Sequence, residues 1–188
     1  MKELYSTLKS ELKNSFKKIK LVCLDFDGTL VENRVFHSQD GTESVIRSRA
    51  DSLAIDLLKD AGLYNKENYK KIQEGIDIVI MSRETNPVVK SVADKIKIKC
   101  TQSIYEKIKA FEEEVKIRGL KYDEVVFIGN DLNDIECIKK AGIGVAVADS
   151  WPQVLKVADY VTKRNGGDGA FREVIELILY AKEKHPFQ

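Results

Sequence analysis

Neither sign of charge dominates this chain: 31 lysines and arginines face 30 aspartates and glutamates over 188 residues. Without a charge excess there is no reason to expect nucleic acid or an anionic membrane as partner. No apolar run approaches the roughly 18 residues of a membrane span. The N-terminus lacks the apolar core of a secretion signal. Cys23, Cys100 and Cys137 lie far apart with no CxxC pair. That spacing shows no cysteine metal motif and reads as reduced, mostly buried thiols in a cytoplasmic protein. There is no internal repeat and no low-complexity tract. What remains is ordinary globular composition, 43% hydrophobic and 32% charged, with length for one real core.

Residues 2–18 read as an amphipathic helix, with Leu4, Leu8, Leu12 and Phe16 on one face. We take residues 1–19 as an N-terminal helix packed on the domain or on a neighbouring subunit, and residues 20–188 as the main domain. "KLVCLD" is a buried strand. "RVFHSQDGTESVI" carries Asp40-Gly41 between two β-prone runs, a hairpin spanning about 31–46. "ADSLAIDLLKDAG" is a helix with Leu53, Leu57 and Leu58 inward and Gly62 past its end. Residues 63–75 are polar and weakly patterned, an excursion or short extra helix. Strands "IDIVIM", "IKIKC", "EVVFIG", "IGVAVA" and "DYVT" follow, separated by helices. One of these begins at Asn86-Pro87, another is "SIYEKIKAFEEEVKIRG", and the last starts at Ala170. Solidly apolar strands alternating with helices predict an α/β fold: a Rossmann-like parallel sheet with helices on both faces, a small β-hairpin flap after the first strand and no separate cap domain.

In such sheets ligands bind beyond the carboxyl ends of the strands, so the chemistry is sought there. The first strand ends in Asp25 and Asp27, two positions apart. In extended chain both point to the same side, roughly 6.5–7 Å apart, and Gly28 lets the backbone turn away. The next delivers Ser82 and Arg83. "EVVFIG" delivers Asn130, Asp131 and, slightly later, Asp134, and Lys107 lies near the start of the helix after "IKIKC". Each has a bland reading alone: Ser82 as a helix-initiating residue, Lys107 on a solvated face, Asn130–Asp134 as a helix cap. A calcium loop starting at Asp25 would need a ligand at its twelfth position, where Phe36 stands. Together, carboxylates from two strands with a hydroxyl and a lysine suit hard-oxygen binding of Mg²⁺ around a phosphoryl group.

With these motifs the sequence resembles the haloacid dehalogenase superfamily of phosphotransferases. "DFDGTL" is similar to its first motif, Ser82 to its second, Lys107 to its third and "GNDLND" to its acidic fourth. A narrower resemblance is to the 3-deoxy-octulosonate 8-phosphate and nonulosonate 9-phosphate phosphatases. It is carried by the hairpin after "DFDGTL", by "QSIYEK" against QGxxxK, by "VAVADSWP" against VAVADAxP, and by "NGGDGAFRE" against GGxGAxRE. The resemblance implies a phosphatase for a small phosphorylated sugar acid, with Mg²⁺ as cofactor and a homotetrameric assembly. It implies Asp25 as nucleophile, Asp27 as general acid and base, and Ser82 and Lys107 holding the phosphoryl group. Asp25, Asp27, Asn130, Asp131 and Asp134 become the candidate metal ligands. Gly28, Thr29, Arg83 and Arg172 become substrate contacts, with Gly166 and Gly167 at the mouth of the site. Two departures stand out: Asn130 replaces an acidic residue of the fourth motif, and "MSRE" replaces SGR. Two other readings remain open at this point. One is the same chemistry on another phosphorylated metabolite. The other is a catalytically silent domain acting in oligomerisation or regulation.

Overall fold

The computed structural model describes residues 1–64 and 75–187. Six parallel strands form one sheet in the order β5-β4-β1-β6-β7-β8. They are β1 (Leu21–Leu24), β4 (Asp77–Met81), β5 (Lys99–Thr101), β6 (Val125–Gly129), β7 (Ile143–Ala146) and β8 (Tyr160–Val161). β1 is central, pairing Leu21 with Asp77 of β4 on one side and with Val125 of β6 on the other. The chain runs outward from β1 to β5, then crosses back to β6 and runs outward the other way. Loops leaving β1 and β6 therefore diverge, and a crevice opens between them at the carboxyl edge.

Alternation along each strand sorts side chains between two layers. Val22, Leu24, Ile78, Ile80, Val126 and Ile128 face one core. There they meet α3 (Arg49–Asp60), α4 (Val88–Ile96) and α8 (Ala170–Ala181). Leu21, Cys23, Val79, Met81, Val125 and Phe127 face the other, against α5 (Lys107–Ile117) and α6 (Ile135–Lys140). The short α7 (Pro152–Leu155) adds Val154 to that second core. Asp25 continues the parity of Cys23, so it leaves the sheet on the α5 side. The hairpin, β2 (Val35–His37) with β3 (Glu43–Val45), stands apart as its own two-stranded sheet and turns through Asp40-Gly41. Val35, Phe36 and Ile46 are exposed on it.

Three expectations need correction. The single helix over 2–18 is two, α1 (Lys2–Thr7) and α2 (Ser10–Lys18), because Leu8 and Lys9 are extended. Ser6 and Thr7 hydroxyls donate back to the Glu3 and Leu4 carbonyls, an alternative to continued helix. The break lets Tyr5 stack on Tyr180 while Phe16 is fully buried edge-on to Tyr160. The segment thus packs on its own domain and covers α8, which is buried nearly all round. Leu53, expected inward, is 43% exposed. The helix expected from Ser103 starts at Lys107, because Ser103 sits at φ 61°, outside helical space. The expected excursion at 63–75 falls mainly on residues 65–74, outside the described residues.

Candidate active site

Four loops at the carboxyl edge bring the expected residues together. Asp25 follows β1 directly, and its backbone N–H extends the ladder by donating to the Ile128 carbonyl at 2.9 Å. Lys107, the first residue of α5, places Nζ 2.8 Å from Asp25 Oδ1 and 2.8 Å from Asp134 Oδ1. All three side chains are almost completely buried. Burial and the neighbouring Asp134 charge push Asp25 up to about 7, against the pull of Lys107 and the Phe26 N–H. Burial works to lower the Lys107 pKa, but the Asp25 and Asp134 carboxylates outweigh it and raise it, so the lysine is charged.

Above this floor lies an open cavity of about 520 Å³, lined by Asp25, Asp27, Ser82, Arg83, Asn130 and Asp131 among others. Ser82 is buried and its Oγ accepts from the Glu84 N–H at 3.0 Å, which leaves the hydroxyl hydrogen available to donate. Asp27 is raised by burial first and then by Glu84 and Glu43. Glu84 is itself lowered, because its carboxylate accepts from the Asn86 and Thr85 N–H groups. Glu43 of the hairpin accepts from Asn86 Nδ2 at 2.7 Å, which ties the flap to the Ser82 loop.

Glycines fix how closely these loops approach. Gly28 has φ +70°, and a Cβ there would lie 2.1 Å from Asn130 Nδ2. At Gly166 a Cβ would lie 1.9 Å from the Gly28 carbonyl oxygen. The Gly167 N–H donates to the Thr29 carbonyl at 2.9 Å, and its own carbonyl accepts from the Ser48 N–H at 2.8 Å. The "NGGDG" tail therefore braces the turn after Asp27 from behind.

Some candidates stand elsewhere than expected. Asp134 is fully buried and both its oxygens are taken: Oδ1 by Lys107, Oδ2 by the Asn130 and Asp131 N–H groups at 2.9 and 3.2 Å. It positions Lys107 and the loop instead of reaching the cavity. Thr29 is also fully buried, its hydroxyl 3.4 Å from Asn130 Oδ1. Arg172 does not line this cavity. Its Nε donates to Glu176 at 2.6 Å, and it lines a different cavity with Arg164 and Asp168. Asn33, Glu84, Thr85, Leu132 and Asn133 line the cavity and went unmarked. Their only signal was their place in the loops after β1, β4 and β6.

The donor set suits a divalent cation. Four carboxylates, Asp25, Asp27, Glu84 and Asp131, line the cavity with one cation, Arg83, and Lys107 lies beneath at Asp25, so negative charge is in excess. Asn133 Oδ1 is a buried acceptor with no hydrogen-bond partner among the described residues. Among the described residues no three acidic, cysteine or histidine side chains cluster tightly enough to hold a metal alone. Mg²⁺ does not need them to: one or two carboxylates, an amide or backbone oxygen and water suffice.

Residues 64–174 match the family model described as haloacid dehalogenase-like hydrolase. The chain is 30% identical to the 3-deoxy-D-manno-octulosonate 8-phosphate phosphatase of Yersinia pestis, over 88% of this chain and 82% of that one. It superposes on the Moraxella catarrhalis enzyme of that name, solved with magnesium, phosphate and KDO, with TM-score 0.82 and 30% identity, covering 94% of each chain. A cobalt-bound Haemophilus influenzae relative matches with TM-score 0.79 and 27% identity, covering 90% of this chain and 92% of that one.

Proposed function

The chain belongs to the haloacid dehalogenase-like hydrolases and is a phosphoric monoester hydrolase, and from that premise we propose that it cleaves the phosphate of a small sugar acid, of 3-deoxy-octulosonate 8-phosphate or nonulosonate 9-phosphate type, using Mg²⁺. The observation that carries this reading is the buried Asp25–Lys107 pair at the floor of an open polar cavity. Bound Mg²⁺ supplies positive charge that shields carboxylate from phosphate; Asp25, the Asp27 backbone carbonyl, and Asn130 or Asp131 would hold it.

The chain's own groups do the rest. Asp25 attacks phosphorus, an Asp–O–P bond forms and the ester O–P bond breaks. Asp27, its pKa raised by burial, gives its proton to the departing sugar oxygen. Ser82 donates to a phosphoryl oxygen and Lys107 balances the charge shared by Asp25 and phosphate. Asp27, now ionised, takes a proton from water as that water attacks the aspartyl-phosphate, which releases inorganic phosphate and restores Asp25. Arg83, the cation lining the cavity, faces the substrate's carboxylate.

Assembly as a homotetramer follows from the resemblance and is supported by the apolar hairpin surface of Val35, Phe36 and Ile46. The three free cysteines suit a cytoplasmic setting. The intact Asp25–Lys107–Asp134 cluster gives a silent domain no support.

Phosphate release tests the reading. The panel is 3-deoxy-octulosonate 8-phosphate, a nonulosonate 9-phosphate and hexose phosphates, each with and without Mg²⁺. The sugar-acid phosphates are expected to turn over fastest, and only with Mg²⁺. Preference for a neutral hexose phosphate would remove the sugar-acid assignment and leave the chemistry in place.

A further inference from the structure

A second cavity, of about 600 Å³, opens between α3 and α4 and shares no lining residue with the first. Its rim is basic: Arg47, Arg49, Lys59, Lys95 and Lys97 surround it, against one lining carboxylate, Asp56. Asp56 is occupied by Lys59 at 2.9 Å. Asp51, the acidic group facing Arg47 from beneath, spends its oxygens on the Gly169 and Arg172 N–H groups. Among the described residues no carboxylate pairs with Arg49, Lys95 or Lys97. Arg47 is already aimed, its Nη1 donating to Ser52 Oγ at 2.6 Å.

A chain of net charge +1 thus sets five cations against one carboxylate around this concave surface. Like charges held together without counterions repel, and an anion of matching length relieves the repulsion. Volume and lining fit a small-molecule site, since Ile55 and Ile96 form an apolar floor and the exposed Leu53 an apolar wall. Arg49 and Lys59 begin and nearly end α3, about 15 Å apart along its axis. One phosphate cannot reach both ends. We propose that this groove binds a small metabolite bearing several phosphate groups in a row, its apolar part lying over Leu53 and Ile96.

The test is calorimetric titration of the full-length protein with inorganic tripolyphosphate in EDTA, so that no metal draws the anion to the catalytic cavity. The comparison protein is Arg49→Glu/Lys95→Glu/Lys97→Glu, whose changes are all on exposed side chains. Wild type is expected to bind one tripolyphosphate per chain, and orthophosphate at least about tenfold more weakly. The triple variant is expected to lose about tenfold or more of the tripolyphosphate affinity and to keep wild-type phosphatase activity. Equal binding by the two proteins, or no saturable binding by wild type, overturns the proposal. So does a triple variant whose mass by light scattering falls, because the groove would then hold a second copy of this chain.

Discussion

At one end of α5, Lys107 lies between Asp25 and Asp134; at the other, Arg118 lies between Asp77 and Glu114. Both cations are buried, with 1% and 0% of their side chains exposed. The carboxylates beside them respond in opposite directions. Burial pushes Glu114 up, but hydrogen bonds from Lys99 and Arg118 outweigh it and lower its pKa. Burial and Asp134 win at Asp25, which rises to about 7. The difference is one cation. Lys99 joins Arg118, so two cations pair with Asp77 and Glu114, whereas among the described residues Lys107 alone pairs with Asp25 and Asp134. The balanced cluster is closed and structural. The unbalanced one opens on a cavity and has room for a divalent cation and a phosphoryl group. A buried ion pair is therefore not a site in itself; the unmet charge beside an opening is.

Exchanging each cation for methionine separates the two roles. Arg118→Met leaves Asp77 and Glu114 facing each other without their shared partner. It is expected to cost about 3–5 kcal/mol of stability in urea unfolding, with kcat per folded molecule unchanged. Lys107→Met is expected to lower kcat by about 10²- to 10³-fold in steady-state assays and to push Asp25 further up. If the two variants shared one profile, the comparison would fail.

Asp51 extends it to a carboxylate with no hydrogen-bonded cation among the described residues. Burial holds it up at about 6, although the α8 N–H groups donate to it. A carboxyl whose folded pKa exceeds its unfolded value binds its proton more tightly when folded. Its contribution is therefore fully present below about pH 4 and is lost, by about 3 kcal/mol, as pH rises to about 6. Asp51→Asn is expected to flatten the unfolding free energy over that window. The smallest effect is at Ser103, which has φ 61° where the resembled motif has glycine. Ser103→Gly is expected to raise stability by about 0.5–1 kcal/mol in thermal unfolding and to leave kcat alone.

Much of the site was legible because its residues sit at strand ends. Asp25, Asp27, Ser82 and Asn130 needed only the apolar strand before them to be placed. Lys107 was singled out by its place near the start of the helix after β5, and the parity of β1 explains why Asp25 meets it. Asp134 was expected at the cavity but does not line it, because a tight 3-10 turn (Leu132–Asp134) sends both its oxygens to local partners. Arg172 was expected at the mouth of the site but lines another cavity, because a helical residue's direction depends on its partner, and Glu176 one turn on takes it. The Asp77–Arg118 pair joins residues 41 apart and leaves no periodic trace. The break at Leu8 goes with back-bonding by Ser6 and Thr7 and with the seat of Tyr5 on Tyr180, which helical periodicity does not show. "GGDG" was visible as a motif, but its use in bracing the Asp27 turn came only from the approach of Gly166 to Gly28.

The most direct test of the central claim is thermal unfolding with Mg²⁺ and beryllium fluoride, which together mimic a phosphoryl group on a carboxylate. Wild type is expected to gain about 5 °C or more in Tm with both additives present and little with either alone, while Asp25→Asn gains nothing. No gain in wild type, or an equal gain in Asp25→Asn, would contradict the assignment of the unbalanced cluster as the reaction centre.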